Sequence, residues 1–299
     1  MLTKKIYLTA FISLLLINSV LAQFDIRLTS AYGVMSLKPK TDLSINIESV
    51  NFITTGLQAD YYLTDNFGVG IGADYYIKEN KFNTILSNYS HSYKGIDNWG
   101  VDPLPRQYVF TVKSNAPDII EQNTISFIDV PVSVIYKYPI VNNIFLAARL
   151  GIKVGLPINN NRYKLKESDL YTRLYFEEWD LELFNISAHG LYDSRTDWQP
   201  EGELDLNKQF SVFSELGLDF PVSFLKVRLS GYFAYGLNNI SNENQSSLIY
   251  WREEYNNILS LPESVRIMQL GVKLGVGIIT NSEKRSEIRK NRQICPAYQ

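Results

Sequence analysis

"GLQADYYLTDNFGVGIGADYYI", residues 56–77, writes Ala-Asp-Tyr-Tyr twice around a short polar hinge. Leu57, Ala59, Tyr61 and Leu63 fall on one side of the first arm, and Gly56, Gln58, Asp60 and Tyr62 on the other. The second arm sets Phe67, Val69, Ile71, Ala73 and Tyr75 against Gly68, Gly70, Gly72 and Asp74. A period of two over such runs predicts strands, and the hinge Thr64-Asp65-Asn66 predicts a hairpin. The fold turns on which solvent each face meets.

The same period recurs along the chain. Runs at 24–35, 125–138, 144–156, 210–220, 225–237 and 265–278 join the two arms of the hairpin to make eight. Their connections alternate in length. Residues 64–66, 141–143 and 221–223 are tight, whereas 36–51, 78–124, 157–209 and 238–264 are long. An even number of strands, with short turns on one rim and long loops on the other, is the pattern of a transmembrane β-barrel. A soluble sandwich or lipocalin-like barrel also alternates. Against it stand the run lengths, 11 to 14 residues outside the hairpin. Soluble strands average about 5–6 residues, and a tilted membrane strand needs about 9–11. Tyr61, Tyr75, Tyr136, Tyr138, Phe220 and Tyr235 also gather near run ends, where an interfacial girdle belongs. The expected fold is all-β: an antiparallel, up-and-down transmembrane barrel of about eight strands.

In such a barrel the bulky apolar set faces lipid and the polar set faces the lumen. The inward acids are then Asp25, Asp60, Asp74, Asp129, Glu215 and Asp219. The inward bases are Arg27, Lys137, Arg149, Lys153, Lys226, Arg228 and Lys273. Eight strands enclose just enough room for side chains to fill, and buried charges must pair or be heavily penalised. A network of lumen ion pairs is therefore expected, with Asp129 on the adjacent strand as the candidate partner of Arg149. Ala-Asp-Tyr-Tyr reads as an outward small residue, an inward acid and an aromatic near the rim.

With "FIDVPVSVIYKYPI" (127–140) and "LGVKLGVGI" (270–278), the opening hairpin resembles the eight-stranded, OmpA-like or porin-family outer-membrane barrels of Gram-negative bacteria. The likeness runs from Gln23 to about Thr280. It implies a cell-envelope protein in contact with outer-membrane lipid, lipopolysaccharide and envelope proteins. Its structural, adhesive or binding role would be carried by extracellular loops, with both termini periplasmic. Barrels of this class also include accessory components of secretion machines, the PorT-like proteins, and lipid hydrolases. Many finish on an aromatic residue, whereas here Ile278-Ile279-Thr280 leads into a basic tail.

The ends fit that placement. Residues 1–22 carry Lys4 and Lys5, an apolar run from Ile6 to Ile17 and a small-residue site at Val20-Leu21-Ala22, the layout of a cleaved signal peptide. Gln23 rather than Cys follows, which argues against a lipoprotein. The barrel domain is then 23–280 and a short periplasmic tail 281–299. Without the leader, the 29 Lys and Arg fall to 27 against 31 Asp and Glu, a balance that suggests no nucleic-acid partner. No later stretch is apolar enough for a helical span, and Cys295 stands alone, so disulfides do not staple the fold.

Three features are candidates for chemistry. Gly68-Val69-Gly70-Ile71-Gly72-Ala73 matches a dinucleotide fingerprint, but no helix pattern follows it. His91 and His189 are the only histidines, each in a long loop, and His91 has no acid near in sequence; general-base work needs a positioned partner. Acids crowd 167–205, where divalent ions could bind, yet no EF-hand spacing is present and a solvated acidic face explains them. Within that stretch 171–186 alternates, predicting a hairpin above the membrane. The expectation is a non-enzymatic protein without cofactor or metal.

Overall fold

The computed structural model describes residues 23–278, except 78, 98–107, 142–143, 159, 170, 186–198, 223–224, 243–244, 246 and 249–254. The expected leader 1–22, the tail 281–299 and His189 lie outside the described residues. The strands in chain order are β1 (Gln23–Lys40), β2 (Ile45–Ile47), β3 (Val50–Tyr62), β4 (Phe67–Tyr76), β5 (Asn80–Asp97), β6 (Tyr108–Ile125), β7 (Phe127–Val141) and β8 (Ile144–Pro157). After them come β9 (Arg162–Ser168), β10 (Tyr171–Phe176), β11 (Leu181–Leu183), β12 (Glu201–Glu203), β13 (Gln209–Val222), β14 (Leu225–Gly236) and β15 (Ser264–Ile278).

Eight of these close into a barrel in the order β1-β15-β14-β13-β8-β7-β4-β3, with β3 returning to β1. Every neighbouring pair is antiparallel. The eight strands are the eight alternating runs, and no helix long and apolar enough to cross a membrane is present among the described residues. Closure removes the sheet edges that lipid could not satisfy. Between β3 and β4 the Thr64 hydroxyl accepts the Phe67 N–H at 3.0 Å, pinning the turn.

The pleat sorts the side chains as the alternation predicts. Phe24, Ile26, Leu28, Leu57, Ile71, Val132, Leu150, Ile152, Leu216 and Leu270 are exposed on the outer wall, and Asp25, Arg27, Asp60 and Arg149 are buried inside. Gly68-Val69-Gly70-Ile71-Gly72-Ala73 lies within β4, so no helix N-terminus follows it to receive a pyrophosphate.

The long connections depart from the expectation of open loops. Residues 78–124 form β5 and β6, a paired ribbon from Asn80↔Ile125 to Asp97↔Tyr108. This ribbon is the centre of a second sheet, β11-β10-β6-β5-β2, with β9 also on β6 and β12 on β9. The hairpin expected within 171–186 is present as β10 and β11. The ribbon escapes a period-two reading because Asn88 sits in the left-handed region at φ 54°. The pairing keeps its register there, Ser87↔Asp118 and then Tyr89↔Ala116, but the buried face changes parity, from Phe82, Thr84 and Leu86 to Tyr89.

The two sheets share an apolar core at the loop-side mouth. Met35, Phe52, Phe127, Phe213 and Ile267 point inward from the barrel strands. Leu204, Leu206, Ile240 and Leu259 come down on them from the connections. A second cluster, Leu86, Ile119, Leu165, Leu248 and Ile258, packs the β14–β15 connection against the outer sheet.

Candidate functional site

Below the apolar plug, the lumen is polar and packed. All thirteen charged residues expected to face inward make ion pairs there. Near the short-turn end, Arg27 bonds Asp25 and reaches Asp219 at 3.2 Å and Asp60 at 3.7 Å. Arg228 donates to Asp219 Oδ2 at 2.7 Å and lies 3.5 Å from Asp60. Lys137 approaches Asp219 at 3.4 Å, and Lys226 approaches Asp25 at 3.2 Å. Lys137 also sits 3.7 Å from the centre of the Tyr62 ring, a cation–π contact strengthened by burial.

At mid-height Arg149 donates to both oxygens of Asp60, at 2.9 and 2.7 Å, and its Nε lies 3.5 Å from Glu215. Lys273 bridges Glu215 at 3.4 Å and Asp74 at 3.1 Å. Nearest the plug, Lys153 pairs with Asp129 at 2.9 Å and donates to Tyr232 Oη and Gln269 Oε1. The Tyr76 hydroxyl donates to Asp129 at 2.9 Å.

The expected Arg149–Asp129 partnership is therefore corrected. Arg149 lies opposite Ile135 on β7, and Asp129 opposite Gly155 on β8, six positions along β8 from Arg149. Arg149 instead crosses the lumen to Asp60 on β3. Adjacency in the sheet does not set partners in a barrel this narrow, because a guanidinium spans the interior.

The repeated tetrapeptide now has a physical account. Antiparallel strands carry its two copies to different depths: Asp60 sits two residues from the turn end of β3, and Asp74 two residues from the loop end of β4. The first acid receives Arg149 and the second Lys273. Glycine at position 70 makes the first contact possible. A Cβ there would lie 2.6 Å from Asp60 Oδ1 and 3.0 Å from Arg149 Nη1, so the ion pair occupies the space a side chain would need. Little void remains. A cavity of about 10 Å³, lined by residues including Asp74, Tyr76, Asp129, Gln269 and Lys273, has room for about one water.

A closed barrel with an apolar wall and a paired lumen decides the class on physical grounds, and comparison with known proteins agrees. The model of the outer membrane protein β-barrel domain family matches residues 21–242. The chain belongs to that family. The match stops short of β15, which the geometry supplies as the strand that closes the barrel. No curated protein sequence matches the chain. Among solved structures it is similar to Ail of Yersinia pestis, at 10% identity and a TM-score of 0.30, covering 86% of this chain and 98% of that one. One structure of that protein holds the heparin analogue sucrose octasulfate. It is also similar to Neisserial surface protein A, at 10% identity and a TM-score of 0.32, covering 85% and 97%. A third is OprG of Pseudomonas aeruginosa, at 11% identity and a TM-score of 0.33, covering 85% and 94%.

Outside the barrel, His91 is flanked by the rings of Tyr89 and Tyr93, with centroids 6.5 and 6.0 Å away. Burial holds its pKa below the ordinary histidine value. Three of the described acids of the 167–205 stretch make ion pairs across the sheet surface: Glu177 with Lys94, Glu182 with Lys113 and Arg173, and Glu201 with Lys164. No group of three His, Cys, Asp or Glu suited to a metal comes together among the described residues. Sequence reasoning missed Glu121, a fully buried carboxyl on β6. Its flanking Glu-Gln-Asn run is uniformly polar, and only the fold of the β14–β15 connection over it removes it from water.

Proposed function

We propose that the protein is a closed, non-conducting outer-membrane barrel whose role is to hold a β-sheet platform outside the cell. The platform carries a structural, adhesive or binding function. One observation supports this above the others: described residues of the β14–β15 connection enter both the plug at the barrel mouth, through Ile240 and Leu259, and the core of the outer sheet, through Leu248 and Ile258. An open diffusion channel needs an unobstructed mouth. This one is built into the base of a second folded layer.

The orientation that follows puts the long connections at the cell surface, and Gln23 and the tail 281–299 in the periplasm, after removal of 1–22. Outer-membrane lipid and lipopolysaccharide surround the apolar wall. Catalysis has no support in the geometry of His91, which lies between two tyrosine rings.

The test is to replace 80–125 with a short turn and compare cells displaying the two forms. The trimmed protein should still fold as a heat-modifiable barrel and lose surface binding. Unchanged binding by the trimmed form would contradict the proposal. Recovery of envelope proteins in fixed stoichiometry after mild detergent extraction would instead assign an accessory barrel of a secretion machine.

A further inference from the structure

The described residues of the β14–β15 connection (237–242, 245, 247–248 and 255–263) form a strap across the barrel mouth. It is sewn down at its start, where Ile240 N–H donates to the Val265 carbonyl, Asn207 N–H to Ile240, and Asn242 N–H to Asp205. Its middle folds back on itself through Gln245 N–H to Ser260 and Asn256 N–H to Leu248. Ile240 and Leu259 enter the plug; Leu248, Tyr255 and Ile258 enter the cluster beneath the outer sheet. Lifting the strap would therefore open both apolar cores.

One carboxyl holds its middle. Glu121 of β6 is fully buried. It accepts the Tyr255 hydroxyl at 2.8 Å and the Ile258 N–H at 3.1 Å. Thr84 of β5 and Leu165 of β9 lie opposite it in register, and Asn123 shares its face of β6. Among the described residues, the other titratable groups on this side are Tyr163, its ring 5.8 Å from that of Tyr255, and Tyr89, whose hydroxyl accepts the Leu248 N–H. Lys164, beside Leu165 on β9, is turned away and pairs with Glu201. Among the described residues no cation lies within ion-pair distance of Glu121. A carboxylate in that setting keeps its hydrogen bonds but has no charge to offset its loss of water.

We propose that Glu121 is a proton-operated latch: protonated, it seats the strap on the outer sheet and over the barrel mouth, and ionised, it loosens the strap. Burial raises the Glu121 carboxyl from 4.5 to about 7, against the lowering effect of its hydrogen bonds from Tyr255 and Ile258. A pKa raised on folding gives stability that is complete below the unfolded value and lost as pH climbs through the folded one. The strap is thus held firmly in acid and loosens as pH rises from about 4.5 to about 7.

The experiment measures amide exchange of the strap peptide containing Leu248, in the whole protein in detergent, from pH 4 to 8.5. It compares wild type with Glu121→Gln, which cannot ionise. Taking the ratio of the two at each pH cancels the intrinsic pH dependence of exchange. The ratio should be near one at pH 4, climb by up to tenfold per pH unit, and level off above pH 7 at on the order of a hundredfold. A ratio that stays flat across the range overturns the latch. Should Glu121→Gln fail to fold, Tyr255→Phe serves in its place. It removes a donor that favours the ionised form, so the pH at which the strap loosens should rise. A midpoint left unmoved by that change also overturns the proposal.

Discussion

Arg149→Ala probes the lumen at mid-height, where one guanidinium joins two carboxylates. The side chain is buried and gives two hydrogen bonds to Asp60, at 2.9 and 2.7 Å, with a further contact to Glu215 at 3.5 Å. Breaking a buried pair by removing one partner typically costs about 3–5 kcal/mol, because the surviving charge is left uncompensated. Here the survivors are not wholly abandoned. Asp60 keeps Arg27 at 3.7 Å and Arg228 at 3.5 Å, and Glu215 keeps Lys273 at 3.4 Å. Those distances are long for hydrogen bonds, so they soften the loss without cancelling it. The low end, about 3 kcal/mol, is the expected value. The assay is urea unfolding in lipid vesicles, followed by the gel shift between folded and boiled forms. A double-mutant cycle with Asp60→Asn isolates the pair, and because the two groups touch, their effects should be strongly non-additive. A loss under about 1 kcal/mol, with additive effects, would refute the reading of the lumen as a mutually dependent network, since that is the scale of an exposed pair.

Other expectations follow from the same geometry. Gly70→Ala places a methyl 2.6 Å from Asp60 Oδ1 and should destabilise the barrel by about 1–3 kcal/mol as the ion pair is pushed aside, read by the same unfolding assay. Leu150→Ala, on the lipid-facing wall at 62% exposure, removes no lumen contact and should leave folding into vesicles nearly unchanged. Protease added to intact cells should cut the surface side and spare the tail 281–299 until the envelope is opened; a tail cut in intact cells would invert the assigned orientation.

The barrel was legible in the sequence because each of its strands meets two different media, lipid and a packed polar lumen, and alternation records that difference residue by residue. The lumen charges were legible for the same reason. Their partners were not. Arg149 finds Asp60 across the interior rather than Asp129 on the adjoining strand, and such a contact depends on the stagger and tilt of the closed sheet. The outer sheet hid for another reason. Asn88 flips the face of β5 midway, and the buried side of β6 mixes Ser114, Glu121 and Asn123 with Val112 and Ile119, so the period survives but its polarity does not. The plug was invisible because Ile240 and Leu259 come from segments with no period, and Leu204 and Leu206 from an alternation only a few residues long.

The central claim is that nothing passes through this barrel: ion pairs fill the lumen, and an apolar plug with a strap closes the mouth. Single-channel recording of the purified protein in planar lipid bilayers, at a pH below about 4.5 where the strap is seated, tests it most directly. The account predicts little or no steady conductance in wild type, with leak currents appearing in Arg149→Ala if water enters the gap. Large, stable channels from the wild-type protein would contradict it, and would mean that the thirteen charges line an open pore.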